Sequence, residues 1–132
     1  MPRVLWALRY DQPCVEITLT LAADGHPMPR VLLADTGAGT RTSLFQLILD
    51  EDDCLLCGGK PLPPITLGGA YTGSFPTYRL AVKLPAIGFD ENLRAVAVST
   101  LPPAFDGIAC FAFLNRFTYG NFGDPAQFGL EG

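Results

Sequence analysis

Asp35-Thr36-Gly37 is where residue types and spacing in this chain offer chemistry. The triplet follows Val31, Leu32 and Leu33, an apolar run that reads as a short buried strand. A carboxylate at the end of such a strand is costly to hold away from water. If the acid is chemical, each neighbour has a use. Gly37 lacks a Cβ, so backbone or substrate can approach closely. Thr36 offers a short hydroxyl to neighbouring main chain, and Ala38 stays small beside the acid. The plainer account is a turn, with Asp35 accepting backbone N–H bonds and its neighbours shaping the loop.

One carboxylate is a poor hydrolytic catalyst, but two held close together are a good one. Like charges at short range cannot both ionise cheaply, so the pair shares a proton. The ionised member takes a proton from water while the protonated member donates to the carbonyl under attack. The sequence contains a single Asp-Thr-Gly. A symmetric homodimer would supply the second, one Asp35 from each chain across a two-fold axis.

The elements that must position Asp35 are mostly β, with one or two short helices. Cys14 to Ala22 alternates Val15, Ile17, Leu19 and Leu21 against polar partners, a half-buried strand. A Gly/Pro-rich turn then leads into the Arg30–Asp35 strand, giving a hairpin. Ser43 to Leu49 reads as a short helix or as a turn and strand, and Asp50 to Asp53 as a solvated loop. Ile65 to Leu67 and Thr77 to Leu84 alternate like strands around the glycine-rich "GGAYTGSFP", a long hairpin with a mobile tip. Leu93 to Leu101 is another strand, and the "FDGIACFAFLNRF" stretch suits a short helix in the core. Strand, turn and strand close the chain from Thr118 to Glu131.

At 132 residues, 48% hydrophobic and 17% charged, the chain is expected to fold as one domain over residues 1–132. A net charge of -4 without basic clusters disfavours nucleic acid. No apolar run is long enough to span a bilayer, and the N-terminus lacks the pattern of a secretory signal, so a cytoplasmic location away from membranes is expected. Cys54 and Cys57 have half the spacing of a zinc knuckle, but the other half is missing. They read as loop thiols able to pair under oxidation, and no metal or cofactor is expected. His26 is the only histidine and sits in a turn, so a Ser-His-Asp triad has little support. Arg30, Arg41, Arg79 and Arg116 read as surface or ion-pair residues.

"LLADTGAG", the glycine-rich hairpin and "DGIACFAFLNRF", in that order, resemble a retropepsin-like aspartic protease over about Cys14 to Leu130. The resemblance implies the closed-barrel-like acid protease fold and a homodimeric aspartic endopeptidase, a hydrolase acting on a peptide or protein substrate. It implies Asp35 as the catalytic residue, with Thr36, Gly37, Ala38, Gly69, Ala70 and Tyr71 in the substrate site. Thr36 would also interlock with its twin, and Gly68 through Phe75 would form a flap that closes over an extended peptide. Phe113, Leu114 and Phe117 would be core residues of the helix after the family's second apolar motif. Two features depart from the pattern: Cys110 stands where the family usually has glycine, with no polar residue near Ala112, and the segment after the acid is longer. A catalytically silent peptide-binding or dimerisation module with the same fold is the alternative.

Overall fold

The computed structural model describes residues 2–132. Ten strands and two short helices follow one another along the chain: β1 Arg3–Ala7, β2 Cys14–Thr20, β3 Pro27–Ala34, β4 Leu47–Asp50, α1 Glu51–Gly58, β5 Leu62–Leu67, β6 Gly73–Leu84, β7 Phe89–Val98, β8 Gly107–Ala109, α2 Phe111–Leu114, β9 Thr118–Gly120 and β10 Gln127–Glu131. The order β2-β3-β8-β4-β7-β6 closes on itself through a β6–β2 pairing, which makes a six-stranded barrel. β5 extends that sheet beyond the closure as the partner of β6. A separate three-stranded sheet runs β1-β10-β9, so the N-terminal strand pairs with the C-terminal one within a single chain. The N-terminal strand has no counterpart in the sequence reading.

The continuous apolar runs are explained by strands buried on both faces. On β7, Leu93, Ala95 and Ala97 enter the main core, while Val96 and Val98 enter a second cluster. On β4, Leu47 and Leu49 face the main core and Ile48 the second cluster. Phe45 and Cys110 join that second cluster, and Ala38, Tyr71 and Phe75 pack against it. It forms a floor between the barrel and the β5–β6 hairpin.

β8 runs parallel to β3 and antiparallel to β4. A Cβ at Gly107 would lie 2.5 Å from the Ile48 carbonyl oxygen and 2.7 Å from a Leu49 methyl. Only glycine lets these three strands meet, and their meeting sets the position of everything after β3 and β8.

The acidic run is not the solvated loop expected from its composition. Asp50 caps α1 by accepting the Asp52 amide at 3.0 Å, and Glu51, Asp52 and Asp53 occupy the first turn. Carboxylates there complement the N-terminal end of the helix dipole. Asp53 is buried against β3, where it forms a two-pronged pair with Arg30 at 2.7 and 2.9 Å. Cys54 and Cys57 are therefore buried helical residues rather than loop thiols, and all four cysteines are free. Ser43 to Leu49 takes the turn-and-strand alternative.

Candidate functional site

Asp35 follows directly on the last residue of β3, and backbone bonds clamp it from two sides. The Ala34 amide donates to Pro13 O at 2.9 Å, and the Asp35 amide to Ala109 O at 3.0 Å. The loop beyond turns back at once: the Ala38 amide donates to Asp35 O, and the Phe111 amide donates to Ala38 O. The acid is thereby fixed between the ends of β3 and β8 and the start of α2. Its Oδ1 accepts the Gly37 amide at 2.9 Å. That bond turns the carboxylate relative to its own backbone and leaves Oδ2 without a partner among the described residues' hydrogen bonds.

The β5–β6 hairpin stands opposite. Its register, Ile65 against Phe75 and Leu67 against Gly73, leaves Gly68 to Thr72 as the tip. Thr72 Oγ1 donates to Gly69 O at 3.0 Å and tightens that turn. Tyr71 meets Phe75 edge to face, with ring centroids 6.4 Å apart. Pro63 and Pro64 fall in β5, an edge strand, where a missing amide donor is tolerated. The buried Thr77 bonds Pro63 O across the irregular register there.

Two cavities, of about 410 and 540 Å³, meet at Asp35, Ile108, Ala70 and Tyr71. The first runs over Ala38, Ser43 and Phe45; the second runs toward Val98 at the end of β7 and Leu101 in the segment that follows. Among the described residues Asp35 is the only acidic one lining either. Gly37, Ala38, Gly69 and Ala70, named from the sequence, line the first cavity with Tyr71. Thr36 does not line either cavity and is exposed.

Burial raises the Tyr71 phenol above its ordinary pKa, with a smaller contribution from the nearby Cys110. The Cys110 thiol is pushed up to about 12, first by burial and then by the Asp35 carboxylate. Cys110 is thus a neutral, fully buried filler beneath the acid, and its amide bonds Gln46 O at 3.0 Å.

Sequence reasoning missed the floor, Phe45 and Ile48, and the wall supplied by Thr66 and Leu67. Alternation marked Thr66 and Leu67 as strand residues, while Phe45 and Ile48 lay in a stretch that read as a short helix or as a turn and strand. Nothing local in the sequence tells which face of a doubly buried strand meets a cleft.

Fold and site together define a closed β-barrel with one carboxylate at the centre of an open, largely apolar cleft beneath a hairpin. Comparison with protein-family models, with curated proteins and with solved structures finds no match. Among the described residues no helix is long and apolar enough to cross a membrane.

Proposed function

We propose that the chain is a homodimeric aspartic endopeptidase of retropepsin type, hydrolysing peptide bonds with water activated between two Asp35 carboxyls, one per chain. The observation that carries this reading is the position of Asp35 at the junction of two cavities under the hairpin tip. An extended peptide crossing that junction would place side chains on both sides of the bond above the acid. One protomer brings a single carboxylate to the cleft, so the second must come from another copy. The exposed Thr36 beside it suits a contact across that two-fold axis. Gly68 to Phe75 then acts as the flap, excluding water and adding main-chain hydrogen bonds to the substrate.

In the mechanism, one Asp35 of the pair is ionised and takes a proton from the trapped water as it attacks the scissile carbonyl. The protonated twin donates to the carbonyl oxygen, giving a tetrahedral diol. The newly protonated Asp35 then gives its proton to the amide nitrogen while the ionised twin takes one from a diol hydroxyl; the C–N bond breaks, the amine leaves, the carbonyl re-forms as a carboxylic acid, and the pair again holds one proton. Gly37 offers its carbonyl to the substrate backbone.

The test is cleavage of a peptide library by wild type and by Asp35→Asn. The variant should lose about a thousandfold in kcat/KM with its circular dichroism unchanged, and specific activity should rise with protein concentration. Equal cleavage by both proteins, or a monomer from micromolar to millimolar concentration, rejects the reading. The silent-module alternative draws on Cys110 and Ala112, where the family pattern has glycine and a polar residue. It is recognised by peptide binding without cleavage in wild type.

A further inference from the structure

β6 and β7 place Arg79 directly opposite Arg94 in their antiparallel register. Like charges at facing cross-strand positions repel. Arg94 is half-buried, and its Nε is buried with no hydrogen-bond partner. A buried donor left unpaired is costly. The strand cannot relax away, because the Arg94 amide donates to Gln46 Oε1 and the Gln46 amide donates to Arg94 O, each at 2.9 Å.

Arg41, from the segment before β4, and Arg116, just after α2, line the same groove of about 580 Å³. Four of the nine basic residues of an acidic chain thus converge on one groove, with the neutral amides of Asn92 and Asn115 beside them. Among the described residues no carboxylate lines it. Among the described residues only Arg116 of the four has an acidic partner, Glu91 at 2.7 Å, and that pair is exposed at the rim. Ser43 lines both this groove and the 410 Å³ cavity beside Asp35, so the two adjoin at that residue.

We propose that the groove is a carboxylate-binding subsite that receives the acidic flank of a peptide lying in the Asp35 cleft. The guanidinium forks of Arg79 and Arg94 grip the carboxylate, whose negative charge offsets the cross-strand repulsion. The peptide as occupant rests on the reading under Proposed function; the demand for an oxyanion stands on the arginines themselves. The preferred substrate is accordingly apolar at the centre and acidic to one side.

The experiment uses Asp35→Asn protein, so that binding is read without turnover. Two labelled peptides share an apolar centre and carry either a Glu-rich or a Gln-rich flank, and anisotropy gives each Kd at low and moderate salt. The Glu-flanked peptide should bind about tenfold tighter, and the advantage should shrink with salt. Adding Arg79→Gln or Arg94→Gln should abolish the advantage and leave the Gln-flanked peptide unaffected. Arg79 is exposed, so its replacement covers the case in which the Arg94 variant fails to fold. Equal affinities, survival of the preference in Arg79→Gln, or no binding of either peptide overturns the proposal. Inorganic phosphate that shifts the Asn92 and Asn115 side-chain resonances, without any gain from the Glu flank, assigns the groove to a free anion and also overturns it. Absence of cleavage by wild type with the Glu preference intact rejects the peptidase and leaves the groove standing.

Discussion

The Gly37 amide donates to Asp35 Oδ1 at 2.9 Å, and a Cβ built on Gly37 would lie 3.3 Å from that same oxygen. The glycine therefore orients the acid and leaves it room. Gly37 lies outside the positive-φ glycines, so alanine is conformationally allowed and the carboxylate must give by a few tenths of an ångström. Gly37→Ala should lower kcat/KM about tenfold, because small misplacements of a catalytic group are costly. Thermal unfolding should move little, since the residue is exposed. Unchanged turnover would show that Asp35 needs no such orientation.

Tyr71 lines both cavities that meet at Asp35 and braces itself edge to face on Phe75. As a flap residue in the proposed reading, it contacts substrate chiefly through its ring. Tyr71→Ala should raise KM about tenfold through lost apolar contact. Tyr71→Phe should keep most of the affinity. A phenylalanine variant as weak as the alanine one would shift the role to the hydroxyl.

Where a local pattern carried the physics, the sequence was legible. Val15, Ile17 and Leu19 alternate and are all buried on β2, and the hairpin flanking Gly68 to Thr72 lies where its glycines mark it. Asp35 falls at a strand end, as the run Val31-Leu32-Leu33 implied. Asp50 to Asp53 misled because four acids in a row look solvated. Their helix-starting role depends on Gly59 at the other end, and on Arg30, 23 residues away, which pairs Asp53. The arginine groove was invisible for a related reason. Its members come from four separate segments, and only the β6–β7 register sets Arg79 against Arg94.

The Arg30–Asp53 pair joins β3 to α1, and its two side chains are unequally buried, at 26% and 12% exposed. Removing the partner of the more buried charge should hurt more. Arg30→Met, which strands the Asp53 carboxylate, should cost about 3 kcal/mol. Asp53→Asn should cost about 2 kcal/mol, part of it from the lost favourable charge in the first turn of α1. The double replacement Arg30→Met/Asp53→Asn should cost less than the sum. Urea unfolding of the three variants measures this, and strict additivity would mean that the two residues do not act as a pair.

Cys54 and Cys110 are fully buried, and both thiols are pushed up to about 12 from an ordinary 9.0. Burial is the main cause for each; carboxylates add to it, those of Asp53 and Asp50 at Cys54 and that of Asp35 at Cys110. A raised folded-state pKa means that the native chain keeps protons which the unfolded chain releases. The stabilisation is therefore complete below pH 9.0 and is lost progressively as pH climbs toward 12. Each thiol should remove about 1.4 kcal/mol of stability per pH unit once its unfolded counterpart is ionised. Urea midpoints measured under reductant should be flat from pH 7 to about pH 8.5 and fall steadily above it. Cys54→Ala/Cys110→Ala protein should start less stable and lose stability more slowly across the alkaline range. Parallel slopes for the two proteins would mean that these thiols ionise in the folded state as readily as in the unfolded one, in conflict with their burial.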